Sequence, residues 1–287
     1  MRRAAVLAVV VVMALTAVVV ISVSRLTKLH VPFLSDTCRS YAADDVVRLA
    51  PDQLTHAATI VAAAVRRDLP ERAAAIALAT ALQESKLRNL TAGDRDSVGL
   101  FQQRPSQGWG TPEELQDPRY AAGEFYDHLV RVPGWQKMRL TDAAQAVQRS
   151  AHPELYQKWE ADATTLAAAL LGDEAGAVTC QLRRPPDRVG PQASAALIAE
   201  LAADLGKLTV NPTVEGDTPI LTVAVGGGGK SRLGWQSAHW FVAKAHEYGV
   251  RRVAFDGDVW TADSGKWVQD GSAPGESYVE VRMATAS

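Results

Sequence analysis

The chain has 287 residues, 47% of them hydrophobic and 22% charged, a globular composition that excludes a disordered or low-complexity protein. Thirty Lys and Arg against 32 Asp and Glu leave a net charge of −2, so there is no electrostatic basis for nucleic acid as a partner.

Residues Ala4 to Val23 form an unbroken apolar run preceded by Arg2 and Arg3. A helix of about 20 such residues, rising ~1.5 Å each, matches the ~30 Å core of a bilayer. The following Ser24-Arg25-Leu26-Thr27-Lys28 offers no small-x-small cleavage site, so residues 1–25 are expected to stay as a single-pass transmembrane signal anchor. Ser35-Asp36-Thr37-Cys38 lacks the apolar and small residues of a lipidation site. Residues 26–40 then serve as a tether. The chain has two cysteines, Cys38 and Cys180, which bracket the region between them. Their positions predict a disulfide closing a loop of roughly 140 residues, a constraint of roughly 5 kcal/mol in the chain-entropy model. Arg2 and Arg3 on one side and Arg25 and Lys28 on the other leave the membrane orientation open on charge alone. Disulfides persist outside the reducing cytosol, which places the rest of the chain on the extracytoplasmic side.

A first amphipathic helix is expected from Pro51, with Leu54, Ala57, Ala58, Val61 and Val65 on its apolar face, ending near Leu69-Pro70. From Ala73 to Leu82 no charge occurs, so the next helix is apolar nearly all round and is predicted to be buried. Ile76, Thr80 and Glu84 lie one helical turn apart on one face, which carries the Glu84 carboxyl to the mouth of an apolar environment. Burial disfavours the ionised form and raises the pKa, as a general acid near neutral pH requires. A turn-rich loop, Thr91 to Ser97, follows, and then the run Gly99-Leu100-Phe101-Gln102. A buried helix that feeds one carboxyl into a polar loop suits glycoside cleavage. Thr111-Pro112-Glu113-Glu114 signals another helix start, with a break at Asp117-Pro118. Short and long helices are predicted over Ala143–Val147 and Pro153–Leu171. With no β-branched alternation before residue 208, the domain at residues 41–180 is expected to be mainly α.

Gln181 to Pro191 is a Pro- and Arg-rich linker, the expected domain boundary. Beyond it, residues 192–287 predict a small α/β domain. It comprises a helix near Ala193–Leu205, a strand at Pro219–Val225 and a helix at Trp235–Tyr248 stopped by Gly249. A strand at Arg252–Phe255, a hairpin over Val259–Val268 and a last strand at Tyr278–Met283 complete it. Gly226-Gly227-Gly228-Gly229-Lys230-Ser231 imitates a phosphate-binding loop, but the position of its first required glycine is Ala224, so no nucleotide is expected. His239 and His246 share a helix face without a third ligand at a defined spacing, so no metal is assigned. No cofactor is expected.

At Gln83-Glu84-Ser85 and Gly99-Leu100-Phe101-Gln102 the chain resembles the Gln-Glu-Ser and Gly-Leu-Met-Gln motifs of the lysozyme-like lytic transglycosylase superfamily. The likeness covers roughly residues 50–172, and its DRDS and QQRPSQGWG segments look like an actinobacterial, membrane-anchored cell-wall branch. The C-terminal segment resembles a domain appended to actinobacterial cell-wall hydrolases and carries over no catalytic role. The resemblance implies peptidoglycan glycan strands as partner and cleavage between their MurNAc and GlcNAc units, with Glu84 protonating the glycosidic oxygen. It implies substrate contacts by Ser85, Gly99, Leu100, Phe101 and Gln102, with Phe101 where methionine is usual. A family Ala-Tyr-Asn-Ala-Gly motif survives only as Ala146-Val147-Gln148-Arg149-Ser150, which puts Gln148 in the asparagine's place. Glu154-Leu155-Tyr156 is similar to the element whose tyrosine hydroxyl meets the catalytic carboxyl.

Most glycosidases use a second carboxylate. The resemblance implies that the muramyl C6 hydroxyl takes its place and closes a 1,6-anhydro ring. Asp94 and Asp96, in the loop after Glu84, are the candidate second acids of a hydrolytic alternative; plain turn chemistry also explains them. An inactive wall-binding scaffold is the alternative from another class, and retention of a buried carboxyl, which costs stability, argues against it. A peptidase lacks any Cys/His pairing or metal-ligand spacing.

Overall fold

The computed structural model describes residues 35–285 apart from 44, 151, 227–231 and 272. The apolar run Ala4–Val23 lies outside the described residues. Asp36–Ser287 forms one compact unit.

The chain opens with strands β1 (Thr37–Ala42) and β2 (Asp45–Leu49), which pair antiparallel. On the other side of β1 lies β3 (Val178–Gln181), giving the sheet order β2-β1-β3. Between β2 and β3 run, among the described residues, six α-helices: α1 (Pro51–Val65), α2 (Glu71–Ser85), α3 (Pro112–Leu115), α4 (Pro118–Leu129), α5 (Leu140–Gln148) and α6 (Glu160–Leu171). Helix α2 is buried without interruption from Ala73 to Leu82 and packs against α1, α4, α5 and α6. Its uncharged, Ala-rich surface lets neighbours approach on every side. Thr80, fully buried, satisfies its hydroxyl by donating to the Ile76 carbonyl one turn back, at 2.8 Å.

After β3 come α7 (Gly190–Leu205), strands β4 (Thr209–Glu215) and β5 (Thr218–Ala224), α8 (Arg232–Ala243) and the single turn α9 (Ala245–Tyr248). Strands β6 (Val250–Phe255), β7 (Asp258–Thr261), β8 (Lys266–Gln269) and β9 (Tyr278–Met283) complete a sheet of order β4-β5-β9-β6-β7-β8. Every pairing in it is antiparallel. The glycine-rich connection after β5 therefore leaves an antiparallel strand, unlike the parallel βαβ setting of a phosphate loop.

These findings correct the expected fold class of a mainly α domain followed by a small α/β domain; the expected transmembrane helix lies outside the described residues. The described chain is 46% helix and 22% strand in two antiparallel sheets, and no helix among the described residues is long and apolar enough to cross a membrane. The three-stranded sheet escaped the sequence reading because β1 turns Cys38 and Ser40 inward and Arg39 outward. Its alternation is carried by a cysteine and a serine, which no hydrophobic pattern registers. Pro153–Trp159 is a 3-10 helix rather than the start of a long α-helix.

Cys38 and Cys180 are cross-strand partners on β1 and β3 and form a disulfide, with Cα atoms 4.0 Å apart and both side chains buried. The bond spans 142 residues of sequence, and its loss is expected to cost up to ~5 kcal/mol on loop-entropy grounds. Urea unfolding with and without reductant measures it; an unchanged midpoint would show that the sheet alone holds these ends.

The halves on either side of residues 181–191 are bonded to each other. Trp267 Nε1 donates to the Val178 carbonyl at 2.8 Å and Trp260 Nε1 to the Cys180 carbonyl at 3.2 Å. Lys244, 3% exposed, reaches Thr59 Oγ1 at 2.9 Å and Asp204 Oδ2 at 3.5 Å. Asp204 also accepts from Arg119 Nε at 2.6 Å and from Trp240 Nε1 at 2.8 Å. His239 on α8 is fully buried and donates from Nδ1 to the Ala169 carbonyl; burial pushes its pKa down to about 4, so it stays neutral. His246 on α9 lies instead 3.3 Å from Asp36 and 3.4 Å from Asp187.

Candidate active site

Glu84 stands in the last turn of α2 and is half-buried. Burial is the main influence on its carboxyl and pushes the pKa above the ordinary glutamate value. Hydrogen bonds from Tyr156 and Gln148, and the positive charge of Lys86, pull the other way without cancelling it. Tyr156 is fully buried, and its hydroxyl donates to Glu84 Oε1 at 2.6 Å. Burial and the neighbouring Glu84 raise the Tyr156 pKa far above its usual value, so the phenol remains a donor. With Oε1 engaged as an acceptor, the proton of the neutral acid belongs on Oε2.

The 3-10 geometry of Pro153–Trp159 explains how two aromatic residues serve one end of α2. In such a helix residues i and i+3 eclipse, so Tyr156 and Trp159 share a face. Tyr156 takes Glu84, and Trp159 Nε1 donates to Gln83 Oε1 at 3.0 Å. Lys86 Nζ lies 4.5 Å and Lys158 Nζ 5.3 Å from the Trp159 ring centroid.

Immediately after Glu84 and Ser85 the chain turns through two successive left-handed residues, Lys86 (φ 57°) and Leu87 (φ 58°). Non-glycine residues in this region carry strain of roughly 1–3 kcal/mol each, which surrounding contacts must hold. Leu87 is fully buried, Gln53 Nε2 donates to the Lys86 carbonyl at 2.7 Å, and His56 Nδ1 meets the Leu87 carbonyl at 2.7 Å. Since a carbonyl only accepts, His56 Nδ1 is the donor, and burial lowers its pKa in favour of the neutral ring. Gln53 and His56 thus clamp the turn that carries the carboxyl. No motif marked them, because their role depends on contact with a segment more than thirty residues away.

The run Gly99-Leu100-Phe101-Gln102 shapes the site from behind. Leu100 and Phe101 are fully buried, and Phe101 stacks on Phe125 with centroids 4.9 Å apart. Ser85, also buried, donates to the Leu100 carbonyl at 2.7 Å and fastens the loop to α2. The Ser85, Leu100 and Phe101 side chains are thus buried and hold the loop against α2 and α4. Gly99 has φ +78°, and a Cβ there would stand 2.4 Å from the Leu115 carbonyl oxygen. Gln102, half-buried with φ 49°, donates from Nε2 to the Gly99 carbonyl at 3.2 Å. Its amide oxygen fills the space that a Cβ at Gly93 would need. Gln148 Nε2 donates to the Phe101 carbonyl at 2.8 Å, so the loop positions a side chain that also bonds Glu84.

Neither candidate second acid has a bond to Glu84. Asp94 is exposed, 3.8 Å from Arg95. Asp96 accepts from the Ser106 backbone N–H at 2.8 Å and from Arg104 Nε at 2.7 Å. These two contacts, the backbone one foremost, hold its carboxyl far below the usual range. It pins the loop to the start of the 3-10 turn Pro105–Gln107.

On the Gln148 side opens a cleft of about 750 Å³, lined among others by Trp109, His128, Arg131, Gln148 and Arg149. Trp109 is half-buried, its ring centroid 4.1 Å from that of His128. The resemblance marked Gln148 alone among these; the others come together from separate segments. No family model matches the chain, and no curated protein sequence matches it.

Proposed function

We propose that the protein cleaves peptidoglycan glycan strands between MurNAc and GlcNAc, with Glu84 as general acid. The observation that carries this reading is one carboxyl of raised pKa, with a buried tyrosine on Oε1 and a roomy cleft beside it. In the neutral acid, Oε2 gives its proton to the glycosidic oxygen as the C–O bond breaks and positive charge develops at the anomeric carbon. The carboxylate left behind takes the proton of the attacking hydroxyl, which restores the acid. Tyr156 and Gln148 stabilise that carboxylate through their hydrogen bonds, which lower its proton affinity at the moment of transfer.

The muramyl C6 hydroxyl is the attacking group in this reading, giving products that end in a 1,6-anhydro ring. The placement of Asp96 favours it over a hydrolytic second carboxylate, because both its oxygens are committed to Arg104 and Ser106. Asp94→Asn and Asp96→Asn should therefore leave the anhydro products unchanged when soluble fragments from purified walls are analysed by mass spectrometry. Reducing-end products that vanish with either substitution would establish hydrolysis instead. An intact folded chain that releases no fragment from walls would favour the inactive scaffold. The disulfide supports an extracytoplasmic location, where the glycan substrate lies.

A further inference from the structure

Helix α1 is held on two adjacent faces by two different parts of the chain. Gln53 and His56, one turn apart, donate to the Lys86 and Leu87 carbonyls at 2.7 Å each, in the turn that carries Glu84. Thr55 and Thr59, also one turn apart and roughly a third of a turn further round the helix, meet the C-terminal half instead. Thr55 Oγ1 donates to the Ala243 carbonyl at 2.8 Å, and Thr59 Oγ1 accepts from Lys244 Nζ at 2.9 Å. Ala243 ends α8 and Lys244 joins it to α9, so both contacts come from one junction in that half. Burial foremost lowers the His56 pKa, with Lys244 on the same side and the Leu87 bond, Asp52 and Glu247 against it, so the ring feels charges from that half as well.

Stability alone gives no reason for a lysine at this junction. An ammonium 3% exposed is costly to desolvate, and apolar replacement of buried ion pairs is often neutral or better. A buried charge with fixed partners supplies register instead: Lys244 must satisfy Thr59 at 2.9 Å and the Asp204 carboxylate at 3.5 Å together. The feature that needs such register is the strained turn after Ser85. Its two successive left-handed residues persist only while surrounding contacts impose them, and two of those contacts come from α1. Sliding α1 would slacken both carbonyl bonds at once. We propose that Lys244 is a positioning residue for the Glu84 acid, acting through Thr59 and α1 on the Lys86–Leu87 turn. The C-terminal half then belongs to the frame of the site. This role rests on the reading of Glu84 as the glycan-cleaving acid, but the geometry it sets can be read without turnover.

The full chain is labelled isotopically at its glutamate carboxyls, and the NMR resonance lost in Glu84→Gln identifies Glu84. Lys244→Met should admit water to the carboxyl and bring its pKa down toward the ordinary glutamate value. Loss of a positive charge acting directly through space would move it up, so the sign separates the two. On soluble glycan strands, Lys244→Met should lower kcat about tenfold to a hundredfold, with KM little changed and the falling limb of the pH profile displaced to lower pH. Thr55→Val keeps the shape, removes the Ala243 bond and takes over the test if Lys244→Met does not fold. It should move pKa and kcat the same way, and Thr55→Ser should restore both. Trp267→Phe removes a bond between the halves whose acceptor lies on β3, and it should change neither. An unchanged or raised pKa in Lys244→Met, or in Thr55→Val where the former does not fold, overturns the proposal, as does an equal effect of Trp267→Phe. A chain that cleaves no strand while the Lys244→Met shift persists refutes the catalytic reading alone.

Discussion

Glu84→Gln is expected to lower glycan cleavage by about two orders of magnitude or more, the usual contribution of a positioned general acid. Glutamine keeps the shape and an oxygen for Tyr156 to donate to, and removes only the proton. Release of soluble fragments from purified walls measures it, and near wild-type release would refute the assignment of the site. The pH dependence has a definite sign. Because burial raises the Glu84 pKa, the acid stays protonated beyond the ordinary carboxyl range, and cleavage should fall as pH rises through that raised value. Stability follows the same group with a defined window. Below the unfolded-state pKa the carboxyl is neutral in both states and the substitution should be silent. As pH rises through the folded value, the native state must ionise a desolvated group, so Glu84→Gln should then be the more stable protein in urea.

Asp204→Ala is expected to destabilise the chain by about 3–5 kcal/mol, the cost of leaving a buried charge without its partner. Asp204 is 2% exposed and accepts from Arg119 and Trp240, with Lys244 3.5 Å away. Lys244 is itself buried, so deletion of Asp204 leaves its ammonium with Thr59 at 2.9 Å and only the more distant Glu200 carboxylate, at 4.0 Å, to offset its charge. Combining it with Lys244→Met should recover part of the loss, because the poorly compensated buried charge goes with it. Denaturant midpoints of the two single variants and the double one test the coupling. Strict additivity would show that the pair contributes nothing as a pair.

The same cluster shows where sequence reading ends. Helix α2 was legible because a run from Ala73 to Leu82 without a charge permits only burial, and Glu84 was legible as the first acid after it. The helix start at Thr111 was legible from local chemistry, and its capping bond to the Glu114 backbone measures 3.2 Å. Strand β4 was not, since nearly all its residues are exposed at the sheet edge and Pro212 sits in its middle. The pairing of Lys244 with Thr59, 185 residues apart, has no local signature at all. Within the site, the sequence pointed to Glu84, Gln148 and Tyr156. The cleft was invisible because Trp109, Arg131 and Arg149 lie on three separate segments whose convergence only the fold supplies.

Strand β1 has a mechanical consequence. The compact unit begins at Asp36, whose buried carboxylate is gripped by the backbone N–H groups of Arg183 and Arg184 and by the Arg184 side chain at 2.7 Å. The next residues form the central strand of their sheet, hydrogen-bonded on both sides and covalently tied to β3. Tension arriving along the N-terminal segment is loaded in shear across β1 and passes through Cys38–Cys180 to β3. From there it reaches the six-stranded sheet through Trp260 and Trp267. Helix α6 packs on both β1 and α2, so it is the element through which such a pull would reach the carboxyl of Glu84.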